Sequence, residues 1–86
     1  MSTDRRTFKK EFDLRYDAVD IGKYITALRK KQNLSVCQLA LRSGLKDPVL
    51  LRVEKGEREP RLNTLLKIIS GLELSPAKFF QFFDKY

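Results

Sequence analysis

Covalent catalysis needs a nucleophile beside a base, or a set of metal ligands, and this sequence offers neither. Cys37 is the lone cysteine and histidine is absent, which removes an internal disulfide, a multi-cysteine zinc site and the commonest general base. No nucleophile–base pair can be assembled from what remains, so the expectation is a protein that is not an enzyme and takes no metal or cofactor. The chemistry left to it is ionic. Eighteen Lys+Arg stand against eleven Asp+Glu. Residues 1–20 hold five of each sign and sum to zero, residues 21–61 hold ten basic and four acidic for a net +6, and residues 62–86 add +1. A surface that grips phosphates needs such a local excess, because each neutralised phosphate releases condensed counterions. A solvated basic surface has the same composition, so the pattern around the charges must separate the two.

An 86-residue chain has room for one small domain and a short appendage. With 42% apolar and 34% charged residues it is richer in charge than an average domain yet too apolar to be disordered. Met1 to Lys10 is charged with no apolar run behind it, so the expectation is neither a signal peptide nor a membrane span, and a cytoplasmic location fits.

Five helices are predicted between Asp20 and Tyr86. Ile21, Tyr24, Ile25 and Leu28 recur at helical spacing behind Asp20, which is suited to cap the first turn, while Lys30 and Lys31 favour the last. Ser35 stands three residues before Gln38, the spacing of a reciprocal capping box, and Leu39 and Ala40 then point inward until Gly44 stops this short second helix. Asp47-Pro48 opens a third, an acceptor at the cap followed by a ring whose missing N–H costs nothing there, with Leu50 and Val53 facing the core and Gly56 at its end. Leu62, Leu65, Leu66, Ile69 and Leu72 form the stripe of a fourth, interrupted late by Gly71. Ser75-Pro76 starts a fifth whose Phe79, Phe82, Phe83 and Tyr86 share one face, with Phe80 beside them.

The division expected is an extension over 1–19 and a domain over 20–86. In the extension, Phe12 to Ala18 alternates apolar and charged residues with the period of a half-buried strand, although Phe8, Phe12 and Tyr16 also fit a helical spacing. A lone strand needs a partner for its backbone and cover for its apolar face, and the same strand of a second copy supplies both. Five aromatics between Phe79 and Tyr86 exceed what one helix of a small bundle hides. Phe12, Leu14, Tyr16, Phe82 and Phe83 are therefore the expected dimer or partner contacts.

Leu28-Arg29 before the Leu34-Ser35 turn, Leu39-Ala40 four residues before Gly44, and Val53-Glu54-Lys55-Gly56 closing the third helix together resemble the Cro and lambda-repressor-like helix-turn-helix family, also called the xenobiotic-response-element family. The resemblance covers roughly Ile21 to Phe80. It implies an all-α bundle of four or five helices in which the second and third form the helix-turn-helix, the third lying in the DNA major groove, and a sequence-specific regulator of transcription, such as a repressor, that binds double-stranded DNA as a homodimer. In the family the residue aligned with Arg29 pairs with that aligned with Glu54. The base-reading positions fall on Lys46, Asp47, Pro48, Val49 and Arg52, of which Lys46, Asp47, Val49 and Arg52 are the candidate base contacts. Val49 suits a thymine methyl and Arg52 a guanine. Ser35, Gln38, Lys55, Arg58 and Arg61 are the candidates for the backbone or minor groove. The sequence departs from its relatives at Val36, where a Gln is common, and at Pro48 and Val49, where polar residues are common. The apolar trio Pro48, Val49 and Leu51 leaves a rival class open, a protein-interaction module such as an antitoxin or adaptor.

Overall fold

The computed structural model describes residues 16–83. Phe12, Leu14 and Tyr86 lie outside them, so most of the alternating segment does too. Tyr16 and Asp17, its described residues before the first helix, are not in a strand. Asp17 instead caps α1 (Ala18–Lys31): its Oδ1 accepts from the N–H groups of Val19 at 3.0 Å and Asp20 at 3.2 Å, while Asp20 Oδ2 accepts from the Asp17 N–H at 3.0 Å. The expected cap, Asp20, is thus the third helical residue of a box that opens three residues earlier. Two aspartates at this spacing together accept from three backbone N–H groups. The hydrogen bond from the Asp20 N–H is the main reason the Asp17 carboxyl is held below the usual carboxylate range.

Ser35 and Gln38 close the expected box at the start of α2 (Val36–Ser43), and Gly44 ends it at φ 68°, the left-handed conformation that Gly adopts without a Cβ clash. In α3 (Asp47–Glu54) the cap is Lys46, with no side-chain hydrogen bond, and Asp47 and Pro48 are the first two helical residues. The start therefore falls one residue earlier than Asp47-Pro48 implied. Pro is tolerated anywhere in the first turn, whose N–H groups have no intrahelical partner.

Of the stripe expected on α4 (Leu62–Gly71), Ile69 and, just past the helix, Leu72 are buried and Leu65 packs against the core, while the other two leucines are left out of it. Ile68 and Ile69 are fully covered, whereas Leu62 is 71% exposed and Leu66 39%. Gly71 sets how closely α4 approaches α2. A Cβ placed there would stand 2.2 Å from Ser43 Oγ and 3.1 Å from the Ser43 nitrogen, so the missing side chain lets α4 close onto the end of α2. Ser43 Oγ is itself buried without a hydrogen-bond partner. We expect Gly71→Ala to lower stability by about 1–3 kcal/mol through overpacking. Adding Ser43→Ala, which removes both the clashing atom and the orphaned hydroxyl, should recover more than half of that loss in urea unfolding. Additive losses would place the clash elsewhere.

Ser75 caps α5 (Pro76–Gln81) by accepting from the Lys78 N–H at 3.1 Å. This helix is shorter than the aromatic run suggested, with Phe82 already its C-cap. Phe79 is fully buried, its ring 4.8 Å from that of Tyr24, and Phe83 stacks 5.1 Å from Tyr24 and 5.0 Å from Tyr16. The Tyr24 hydroxyl donates to the Phe79 carbonyl, and burial pushes its pKa up. Five helices and no strand make up the described residues, with α1 against the end of α3, α4 against α2, and Tyr24, Leu39, Leu50, Ile68 and Phe79 at the centre.

Candidate nucleic-acid interface

The helix-turn-helix is held rigid from beneath. Arg29 on α1 donates from Nε to Glu54 Oε2 at 2.8 Å and from Nη2 to Glu54 Oε1 at 3.0 Å, and its Nη1 reaches the Leu34 carbonyl at 2.8 Å. Thr26 adds a donor to Glu54 Oε1 at 3.0 Å. One two-pronged ion pair thus fastens α1, the turn leading into α2 and the last residue of α3, with side-chain exposures of only 11% for Arg29 and 4% for Glu54. Thr26 escaped the sequence reading, although its place three residues before Arg29 on α1 was a signal that the two share a face. Gly22 completes the joint: a Cβ there would lie 2.4 Å from the Val53 carbonyl oxygen, so the backbones of α1 and α3 meet where Gly22 stands.

Upon this support α3 turns Leu50, Val53 and Glu54 inward and leaves Lys46, Asp47, Pro48, Val49, Leu51 and Arg52 exposed. A cleft of about 280 Å³ runs between α3 and the start of α4, lined by Val49, Arg52, Arg58, Glu59, Pro60, Arg61 and Thr64 among others. The fold therefore brings Arg52, Arg58 and Arg61 around one concavity with Glu59 as the single acidic member, a local field suited to an anionic polymer. Lys46, Asp47 and Lys55 do not line this cleft; they are exposed at the two ends of α3.

At the start of α2, Ser35 Oγ accepts from the Gln38 N–H at 3.0 Å while Gln38 Oε1 accepts from the Ser35 N–H at 2.8 Å. The box occupies acceptor oxygens and keeps the donors, a hydroxyl proton and an amide NH₂, for a phosphate oxygen. Among the expected contacts at the aromatic end, Tyr16 and Phe83 stack on each other inside one chain, while Phe82 is 51% exposed. Phe80, at 47% exposed, and Leu62 and Leu66 on α4 are further exposed apolar side chains that the sequence reading did not name as contacts.

The helix-turn-helix family model matches residues 25–79, a span that runs from within α1 to within α5 and contains the whole cleft. The chain belongs to this helix-turn-helix family. Two curated members align with it over 54 residues: an uncharacterized HTH-type transcriptional regulator of Haemophilus influenzae at 39% identity, and one of Mycobacterium tuberculosis at 41%. Each alignment takes in 63% of this chain, which spans 55% of the first relative's length and 39% of the second's. Among solved helix-turn-helix structures, the restriction-modification controller protein C.AhdI of Aeromonas hydrophila is 33% identical, with a TM-score of 0.69 over 73% of this chain and 96% of its own. The controller protein C.Esp1396I, solved as a tetramer with its natural 35 base-pair operator, is 25% identical, with a TM-score of 0.76 over 79% of this chain and 90% of its own. The names of these relatives are those of regulators. No helix among the described residues is long and apolar enough to cross a membrane.

Proposed function

We propose that this helix-turn-helix protein is a sequence-specific, double-stranded DNA-binding transcriptional regulator, not an enzyme, that acts in the cytoplasm as a homodimer. The observation that carries this reading is the convergence of Arg52, Arg58 and Arg61 on one cleft beside the outward face of a braced α3. The named relatives support it, one of them solved on its operator. Arg52, Lys46, Asp47 and Val49 read bases. Ser35, Gln38, Lys55, Arg58 and Arg61 hold the sugar–phosphate backbone or the minor groove, and two copies of α3 enter successive major grooves about 34 Å apart. The DNA-reading unit starts at the Asp17 cap, three residues before the division at residue 20 read from the sequence.

For the second copy, we place the contact on the exposed Phe82 with Phe80, Leu62 and Leu66, because Tyr16 and Phe83 are engaged within their own chain. The same exposed aromatics favour a second reading, an antitoxin or adaptor that seats a partner protein there. Sizing of the full chain alone separates the two, since only the first gives a dimer without a partner.

The direct test is a gel shift of the full chain against a random duplex pool at low salt, where absence of retention sinks the DNA reading. Within it, we expect Arg58→Ala to weaken binding to selected and random duplexes alike and to reduce the slope of log affinity against log salt by about 1, the signature of one lost phosphate contact. A loss confined to the selected sequence would move Arg58 from the backbone to a base.

A further inference from the structure

The outward face of α3 is unusually poor in groups that hydrogen-bond to bases. With Leu50, Val53 and Glu54 buried, a turn of about 100° per residue puts Pro48 and Arg52 opposite the core, with Val49 and Leu51 on the two flanks. Their exposures, 37% for Val49 and 39% for Leu51, fit flank positions. One guanidinium is thus set among three hydrocarbon side chains, with Lys46 and Lys55 at the two ends of the helix and Arg58 and Arg61 in the adjoining cleft. The excess of cations at the helix ends and in the cleft, against Asp47 and Glu59, selects a polyanion as the occupant. The floor of the major groove offers one apolar group, the methyl on C5 of thymine.

We propose that α3 chooses its site chiefly by pyrimidine C5-methyl groups around one G·C pair. Arg52 takes the O6 and N7 of guanine, and Pro48, Val49 and Leu51 cover methyls of the neighbouring pyrimidines. This rests on the DNA-binding reading and specifies what that site prefers. Because hydrocarbon side chains touch the methyl and not the 4-position, 5-methylcytosine satisfies them as thymine does, whereas cytosine and uracil do not.

The test uses the full chain and the duplex it selects from a random pool, resynthesised with deoxyuridine for thymidine. Each contacted methyl removed should cost about fourfold in affinity, and two about fifteenfold, the scale of burying one such group. Where the selected site has T·A under α3, a 5-methylcytosine·G pair should bind about fourfold tighter than cytosine·G. In the Val49→Ala/Leu51→Ala variant, both positions being exposed enough to leave the core intact, the thymidine-to-deoxyuridine ratio should fall toward one. A ratio within twofold of one for the unsubstituted protein overturns the proposal while leaving DNA binding in place. So does a ratio that the double variant does not change, since the methyl would then act through groove shape. Failure to retain any duplex overturns both readings, the result expected if the apolar flanks seat a protein.

Discussion

Replacing Glu54 with Gln is expected to lower stability by about 3 kcal/mol, the scale for removing one partner of a buried ion pair. In a domain of this size that amounts to roughly 12–24 °C in Tm. The substitution keeps the shape of the side chain and removes its charge, so packing is not the cause. Glu54 accepts from Arg29 Nε, Arg29 Nη2 and Thr26 Oγ1, and an amide NH₂ in place of one oxygen sets donor against donor while the guanidinium stays in a site only 11% exposed. The double variant Arg29→Met/Glu54→Leu removes both charges and should recover much of the loss, because well-packed apolar pairs often match buried ion pairs. Recovery should be incomplete, as the Leu34 carbonyl loses the Arg29 donor, whereas the Thr26 hydroxyl keeps the Gly22 carbonyl as its acceptor. Urea and thermal unfolding measure both. A Glu54→Gln loss no larger than that of an ordinary surface substitution, about 0.5 kcal/mol, would mean that water reaches the pair.

Arg52→Ala is expected to reduce discrimination between the selected duplex and its single-base variants by roughly 5- to 150-fold, the range for one bidentate arginine–guanine contact. Affinity for random DNA should fall only by the share of a single cation. The reason is position. Arg52 lies on the side of α3 away from Leu50 and Val53 and lines the same cleft as Arg58 and Arg61; on the proposed reading its fork meets bases while theirs meet phosphates. Lys at this position should not rescue, since an ammonium cannot meet O6 and N7 with a planar pair of donors. Competition binding with selected and scrambled duplexes decides the matter, and equal losses on both would assign Arg52 to the backbone.

Much of this was legible from residues a few positions apart. The Ser35–Gln38 box, the stop at Gly44 and the Ser75 cap are bonds or conformations local to one turn, and local chemistry survives in a single sequence. The cap of α1 was not legible in this way: Asp17 takes that place, accepting from two N–H groups while Asp20 accepts from its own, so the helix begins at Ala18. The Arg29–Glu54 pairing came from resemblance alone, because the chain between these two positions carries no periodic signal of it.

What the sequence by itself determined is the order of five helices, the inward residues of α2 and α3 and the concentration of positive charge between residues 21 and 61, because caps, spacing and composition are properties of neighbours. Only the tertiary structure decided that Leu62 and Leu66 stay exposed while Ile68 is covered, and how closely Gly71 lets α4 approach Ser43. It also decided that Tyr16 and Phe83 face each other in one chain, and that Arg52 shares a concavity with Arg58 and Arg61. Such contacts arise where separate helices meet, and the distance between helices is set by what their facing side chains exclude, which no stretch of either helix specifies alone.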